Sequence, residues 1–441
     1  MTKSSKEYWL EFFDENPKAD ELADDIRFVG AQSKFSRPDW PLLLTPIMYT
    51  QSFVTEQANS LSKLFELIRQ LPVKLFGGEL IDFANAVGFT HAELHTLYKK
   101  QASNIGIYPC RWDIIHSSEG WKVVEVNVGG ALGGFASDAI HALYDESIAQ
   151  ATSSDPLLKL SESWQSQYSH ITRQIKKTLE QLDNPILVVV DDEKMFSDSP
   201  LIANSVANAL AEKLNIEVKS VPHTGLQSIC TQHEGQVLVF EIFGYNDVIN
   251  SGISSYQTYF EGLVSNKIES TISPLSELFM SKAILALLKE ATHGDLLNDS
   301  EIMLIDSLIP ETYLVNQDTL PHLRSLDHSQ WVLKAAVGYG GNNVTCGWET
   351  DLHSWSAQLE VAAQTDTPLH IVQKRVVGIR EPTISITPKG LYVECDQPIV
   401  LGIFMYEDKF GGGVIRQSLT GSGITSSTNQ ASVGVMRVTQ V

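Results

Sequence analysis

The chain has 441 residues, 43% of them hydrophobic, enough at about 150 residues per domain for roughly three structural units around a large core. Acidic residues outnumber basic ones 53 to 32, a formal charge of −21, so no field gathers nucleic-acid backbones or anionic lipid headgroups, and neither is expected as a partner. The four cysteines (Cys110, Cys230, Cys346, Cys395) stand apart without a CxxC pair, which argues against a zinc site or a disulfide framework. The opening residues lack a signal peptide's apolar run, and no stretch reaches the length of a membrane helix, so a soluble cytoplasmic protein is expected.

Apolar residues at Leu61, Leu64, Phe65 and Ile68 predict an amphipathic helix over 55–71, and 4–15 and 90–100 read similarly. From 110 to 127 two extended runs, CRWDIIH and WKVVEVN, flank Ser117, Ser118, Glu119 and Gly120, a hairpin signal. A strand at 186–190, a helix at 200–214, and strands at 216–221 and 236–243 predict a small α/β layer. A helix over 276–290 opens the last region, followed by the strand WVLK, a glycine-rich loop, the strand HIVQKR and a strand-rich C-terminus.

Within the hairpin, Arg111 and Asp113 are two apart, as are Glu125 and Asn127, so each pair shares one face of its strand. A three-residue loop (Ser118, Glu119, Gly120) would pair Asp113 with Glu125 and Arg111 with Asn127, and all four side chains would converge. A two-residue loop would separate the pairs and remove the site. An aspartate, a glutamate and an asparagine carbonyl together make a hard oxygen set of the kind Mg²⁺ accepts. An isolated pair of this sort is usually a solvated polar face. Here EVNVGGALGG follows it with a loop of little side-chain bulk, through which backbone N–H groups can approach an anion. The segment lacks the lysine and hydroxyl of a P-loop and the order of a dinucleotide-binding turn.

Lys334 ends the WVLK strand and precedes AAVGYGGNNV, whose Gly338, Gly340 and Gly341, with Tyr339 between them, can close over phosphates. Lys282 in SKAILALL, Gln373 and Lys374 in HIVQKRV, and Arg416 in KFGGGVIRQS would each, taken singly, be ordinary surface or strand-end residues.

The order of RxD, ExN, SKAIL, LIPETY, LKxxxGYGGNNV, IVQKRV and GGGVIRQS resembles that of circularly permuted ATP-grasp ligases similar to glutathionylspermidine synthetase. In ordinary ATP-grasp enzymes the ExN motif follows the phosphate lysines, whereas here Glu125 precedes Lys334. The resemblance runs from about residue 110 to 418 and implies an α/β (α+β) protein: an ATP-grasp fold, circularly permuted, with a small α/β pre-ATP-grasp layer. It divides into 1–180 (helical region plus metal hairpin), 181–275 (small α/β domain), 276–365 (nucleotide subdomain) and 366–441 (C-terminal core strands).

By the same resemblance, Asp113, Glu125 and Asn127 would hold Mg²⁺, and Arg111 would contact the γ-phosphate and the developing acyl phosphate. Lys282 and Lys334 would bind ATP phosphates, Gly338 to Gly341 would form the lid, Gln373 and Lys374 would lie near the adenine, and Arg416 would line the transfer site. The sequence departs from relatives at Ala335, where they often carry proline, and at Gln417, where they often carry glutamate, a change that bears on acceptor binding. The implied reaction joins a small-molecule carboxylate, such as an amino acid or short peptide, to an amine through an acyl phosphate, releasing ADP and phosphate. The residues alone leave open a phosphotransferase or a non-catalytic nucleotide-binding protein, and they fix neither substrate nor oligomeric state.

Overall fold

The computed structural model describes residues 41–44, 47–91, 109–129, 132, 138, 141, 167–198, 200–272, 274–338, 343–365, 367–387, 389, 392–406, 408–421, 423, 425 and 431–439. The helix expected over 4–15 lies outside these residues, as does that over 90–100 from residue 92 on. Two short strands, β1 (Leu42–Leu43) and β2 (Ile47–Thr50), lead into the helix Gln51–Phe76. Thr50 caps its start by accepting from the Phe53 N–H, and Gly77 ends it at φ +60°, a left-handed conformation glycine adopts without strain. Leu61, Leu64, Phe65 and Ile68 are buried on one side of it, as their spacing predicts. Then come β3 (Pro109–Ser117) and β4 (Gly120–Val128), the hairpin.

A parallel four-stranded sheet follows, with β5 (Ile186–Asp191), β6 (Val218–Pro222), β7 (Val237–Glu241) and β8 (Ile268–Ser270) in the order β6-β5-β7-β8. Both faces of β5 and β7 are covered, since Leu187 to Val190 and Val237 to Phe240 are all buried, as a parallel sheet packed between helices requires. The helix Pro200–Leu214 connects β5 to β6.

The helix expected over 276–290 is instead a 3-10 segment, Pro274–Met280, and a separate helix, Ala283–Ala291. The break falls at Ser281 and Lys282: the Lys282 N–H bonds Ala336 O at 2.9 Å, outside its own segment, and Ser281 Oγ accepts from the Ala283 N–H. An antiparallel sheet then forms from β9 (Thr312–Val315), β10 (Trp331–Ala335), β11 (Val344–Cys346) and β12 (His370–Lys374), ordered β11-β10-β12-β9. It has its own core, in which Trp331, Leu333 and Val372 pack with Trp355 and Leu359 of the helix Leu352–Ala362. Because β12 pairs with β9 and β10, this sheet extends past the boundary expected after residue 365.

Finally β13 (Arg380–Ile386), β14 (Tyr392–Tyr406), β15 (Lys409–Gln417) and β16 (Ser432–Thr439) return to the first strands. The resulting eight-stranded sheet runs β13-β1-β16-β15-β14-β3-β4, with β2 beside β16. One face packs on the helix Gln51–Phe76, where Trp112 meets Phe65 edge to face. The alternate residues of β3 and β4 face the other way and carry the polar groups described next. Among the described residues no helix is long and apolar enough to cross a membrane.

Candidate active site

In the β3–β4 hairpin Asp113 pairs with Glu125 and Arg111 with Asn127, so the four side chains share a face as expected. The means differ from the expectation. Ser117 pairs with Gly120, which leaves a two-residue turn of Ser118 and Glu119, with Gly120 at φ +97°. Continued unbroken, that ladder would set Asp113 opposite Val124. A β-bulge corrects it: Ile114 pairs with Val123 and Asp113 with Glu125, leaving Val124 as the extra residue.

Asp113 is 4% exposed and lies between two guanidinium groups. Arg111 Nε donates to its Oδ1 at 2.9 Å, and Arg416 Nη2 lies 2.7 Å from its Oδ2. Burial alone would raise the Asp113 carboxyl, but Arg111 and Arg416 outweigh it and hold the group at about 2. Arg111 also donates to Leu132 O at 2.8 Å. Arg416 comes from β15, on the far side of β14, and reaches Asp113 across that strand.

Glu125 faces a different cation. Lys282 Nζ lies 3.0 Å from Glu125 Oε1 and donates to Gly338 O at 2.9 Å, so one ammonium joins the hairpin to the start of the glycine loop. The lysine is 6% exposed, not a surface residue. Lys334 Nζ donates to Gln373 Oε1 at 2.7 Å and reaches Val124 O at 3.4 Å, so the residue displaced by the bulge turns its carbonyl to this second lysine. Burial lowers the Lys334 ammonium to about 8, with Glu125 pulling it up and Lys282 pushing it down. Gln373 is 1% exposed, and its amide donates to Thr312 Oγ1.

Four cations and two carboxylates from four separate stretches of the chain, around residues 111–125, 282, 334 and 416, are therefore gathered where the eight-stranded sheet meets the small antiparallel one. Among the described residues no group of three or more His, Cys, Asp or Glu side chains could hold a metal ion by itself. A cation would have to use the Asn127 amide oxygen beside Glu125 and Asp113. The Asn127 amide nitrogen lies 3.4 Å from Arg111 O, which leaves its oxygen as the acceptor on offer, and such an all-oxygen set suits Mg²⁺.

Other expected residues fall elsewhere. Lys374 pairs with Trp331, on the opposite face of the small sheet from Lys334 and Gln373, and its exposed ammonium lies 3.6 Å from Glu311. Tyr339, Gly340 and Gly341 lie outside the described residues. Gln417 points away from Arg416, as neighbours along a strand do, and is fully buried. Its amide donates to Glu381 O and Gln397 O at 2.6 and 2.7 Å, and its oxygen accepts from Thr383, so it clamps β13, β14 and β15 and does not line a site with Arg416. Ala335 is buried, its N–H on Asn343 O across the loop. Sequence reading overlooked Val124, Thr312 and Gly402. Only Gly402 left a signal, as a lone glycine in the apolar run IVLGIFMY.

Neither protein-family models nor curated proteins give a match to this sequence. Solved structures do. A glutathione synthetase-like effector from Globodera pallida, in its apo form, superposes with a TM-score of 0.56 over 96% of both chains at 14% identity. A putative gamma-glutamylcysteine synthetase from Methylobacillus flagellatus covers 77% of this chain and 82% of its own at 11% identity, with a TM-score of 0.37. The mixed α/β architecture of this protein is thus similar to that of a glutathione synthetase-like structure along nearly its whole length.

Proposed function

We propose that the protein is an ATP- and Mg²⁺-dependent carboxylate–amine ligase with a circularly permuted ATP-grasp fold, forming an amide through an acyl phosphate. One observation carries this reading: in a chain of net charge −21, Arg111, Arg416, Lys282 and Lys334 are concentrated around Asp113 and Glu125, an excess of two positive charges over these carboxylates among the described residues. Mg·ATP brings about two net negative charges, which such a cluster would complement, each cation offering a donor to a phosphate oxygen. The likeness in fold to a glutathione synthetase-like protein supports the reading, and that name is in keeping with an amino acid or short peptide as substrate.

In this scheme Lys282 and Lys334 bind phosphate oxygens, Gly338 opens the covering loop, and Gln373 lies on the adenine side of Lys334. Arg111 and Arg416, fixed by Asp113, meet the charge that develops as the γ-phosphoryl group passes to a carboxylate. Asp113, Glu125 and Asn127 would hold Mg²⁺, which when bound supplies charge neutralisation at the phosphates. The bulk of the work is placement and charge, so a side-chain nucleophile is unnecessary.

The test is a screen of carboxylates against amines with ATP and Mg²⁺, reading ADP, phosphate and product mass. Amine-dependent phosphate release with an amide product is expected. A stable phosphorylated product without amine would make the protein a phosphotransferase, and absence of ATP binding in calorimetry would end the reading. Replacement of Lys334 by methionine should weaken ATP binding about ten- to a hundredfold, the loss of one charge-assisted bond.

A further inference from the structure

We propose that Gly402 is a positioning residue for this site: its missing side chain is the opening in β14 through which Arg111 and Arg416 close on Asp113. The inference rests on the ligase reading for its functional consequence, though not for its geometry.

β14 lies between β3 and β15, so a β15 side chain reaching β3 must cross it. On the face of Asp113, β14 presents Val400, Gly402 and Phe404, which pair with Ile115, Asp113 and Arg111. Arg416 pairs with Val400, one row along on the same face from the row of Val414, Gly402 and Asp113, so its side chain crosses β14 diagonally from the Val400 row toward the Gly402 row to come within 2.7 Å of the carboxylate. A Cβ on Gly402 would stand 2.7 Å from Val414 Cγ1, 3.0 Å from Arg111 Cδ and 3.5 Å from Arg111 Cγ.

The backbone does not call for glycine here, since Gly402 is not among the positive-φ glycines. A glycine inside a strand weakens it, and one with ordinary torsions marks a close approach. Two neighbours make that approach, and they mean different things. Val414 is an ordinary packing contact, whereas the Arg111 stem belongs to the guanidinium pair on Asp113.

Trimming Val414 separates them. Gly402→Ala in a Val414→Ala background relieves the packing clash and keeps the clash with Arg111. Two measurements then decide. The first is a double-mutant cycle in that background, joining Gly402→Ala with Asp113→Asn and reading urea midpoints. If the glycine serves the Asp113 pairs, Gly402→Ala lowers the midpoint when Asp113 is present and has little further effect once Asp113 is asparagine. Additive shifts, or no shift from Gly402→Ala, would overturn the proposal without reference to nucleotide.

The second measurement compares a non-hydrolysable ATP analogue with ADP, each with Mg²⁺, by calorimetry. Misplaced guanidinium groups should reduce the preference for the analogue about tenfold and leave ADP affinity alone. An unchanged preference in the Gly402→Ala, Val414→Ala protein would overturn the positioning role. Wild-type protein binding neither nucleotide would strike the ligase reading instead, with the stability cycle still deciding the geometry.

Discussion

Replacing Asp113 with asparagine keeps the shape of the side chain and removes the buried charge that two half-buried guanidinium groups share. Arg111 makes a charge-assisted hydrogen bond to the carboxylate at 2.9 Å, Arg416 an ion pair at 2.7 Å, and the carboxylate is 4% exposed. Breaking a buried ion pair by removing one partner costs about 3 to 5 kcal/mol. Linkage gives a second figure: the carboxyl is lowered from 3.8 to about 2, and at about 1.4 kcal/mol per unit this is about 2 kcal/mol. The linkage figure is smaller because it counts only the change on protonation, not the loss of both ion pairs. The folded value is the depressed one, so this stabilisation is full above the ordinary carboxylate range and is lost as pH falls through about 2. Asp113→Asn should therefore lower stability at neutral pH by about 2 to 5 kcal/mol, a large part of the roughly 5 to 15 kcal/mol typical of a protein. The assay is urea unfolding at pH 7 with an unchanged m-value, repeated from pH 5 downward, where the gap to wild type should narrow below about pH 4. A midpoint within about 0.5 kcal/mol of wild type would refute the reasoning, because the arginines would then not depend on this carboxylate.

Lys282→Met should move two affinities in opposite directions, strengthening nucleotide-free Mn²⁺ binding about tenfold by freeing Glu125 while weakening ATP binding; electron paramagnetic resonance and calorimetry read the two. Equal signs would mean that Lys282 does not stand between the metal ligand and the phosphates. Glu241, fully buried, is raised from 4.5 to about 7 by burial, partly offset by bonds from Ser270, Tyr259 and the Ile272 N–H. The native state holds its proton more tightly, so stability falls as pH rises from about 4.5 to about 7, and Glu241→Gln should flatten thermal melts in that window. Asp191, also raised to about 7, keeps part of the slope. Gln417→Glu would set a buried charge against Glu381 O and Gln397 O and should cost more than about 3 kcal/mol, visible as a collapsed melting transition; normal stability would show that the clamp is dispensable.

The elements with a strong period were legible: the helix around Leu61 to Ile68 and the buried strands of the parallel sheet follow from which residues must leave water. The face shared by Arg111, Asp113, Glu125 and Asn127 was legible too, but its cause was not. A turn of three residues and a turn of two with a bulge give the same pairing, and nothing in WKVVEVN marks Val124 as the residue to be displaced. Lys282 and Gln373 read as surface or half-buried positions because their burial comes from elements far away in the chain: Lys282 is covered by the hairpin and by the start of the glycine loop. Lys374 falls on the other face of the sheet for a simpler reason, since adjacent strand residues face opposite ways and only one of the QK pair can join Lys334. The break at Ser281 and Lys282 depends on the Ala336 carbonyl, which local helix preference cannot reveal.

The acidic surface and the basic site place a constraint on how an anion enters. A chain of net charge −21 repels a polyphosphate at long range, so steering cannot bring nucleotide to Lys282 and Lys334. Beyond about 8 Å, physiological salt screens this repulsion, while the pairs at the site, with Lys282 and Asp113 nearly buried, are screened much less. Added salt therefore relieves the unfavourable field before it weakens the favourable contacts. Association of Mg·ATP should be little slowed, or even quickened, as salt rises from low to physiological levels, opposite to the steep loss shown by proteins that bind phosphates on a basic surface. The same separation explains the internal pairing of Lys282 with Glu125 and of both arginines with Asp113. In a largely buried site, each cation waiting for phosphate gains from a partner beforehand, and ligand binding becomes an exchange of partners, not the burial of naked charge.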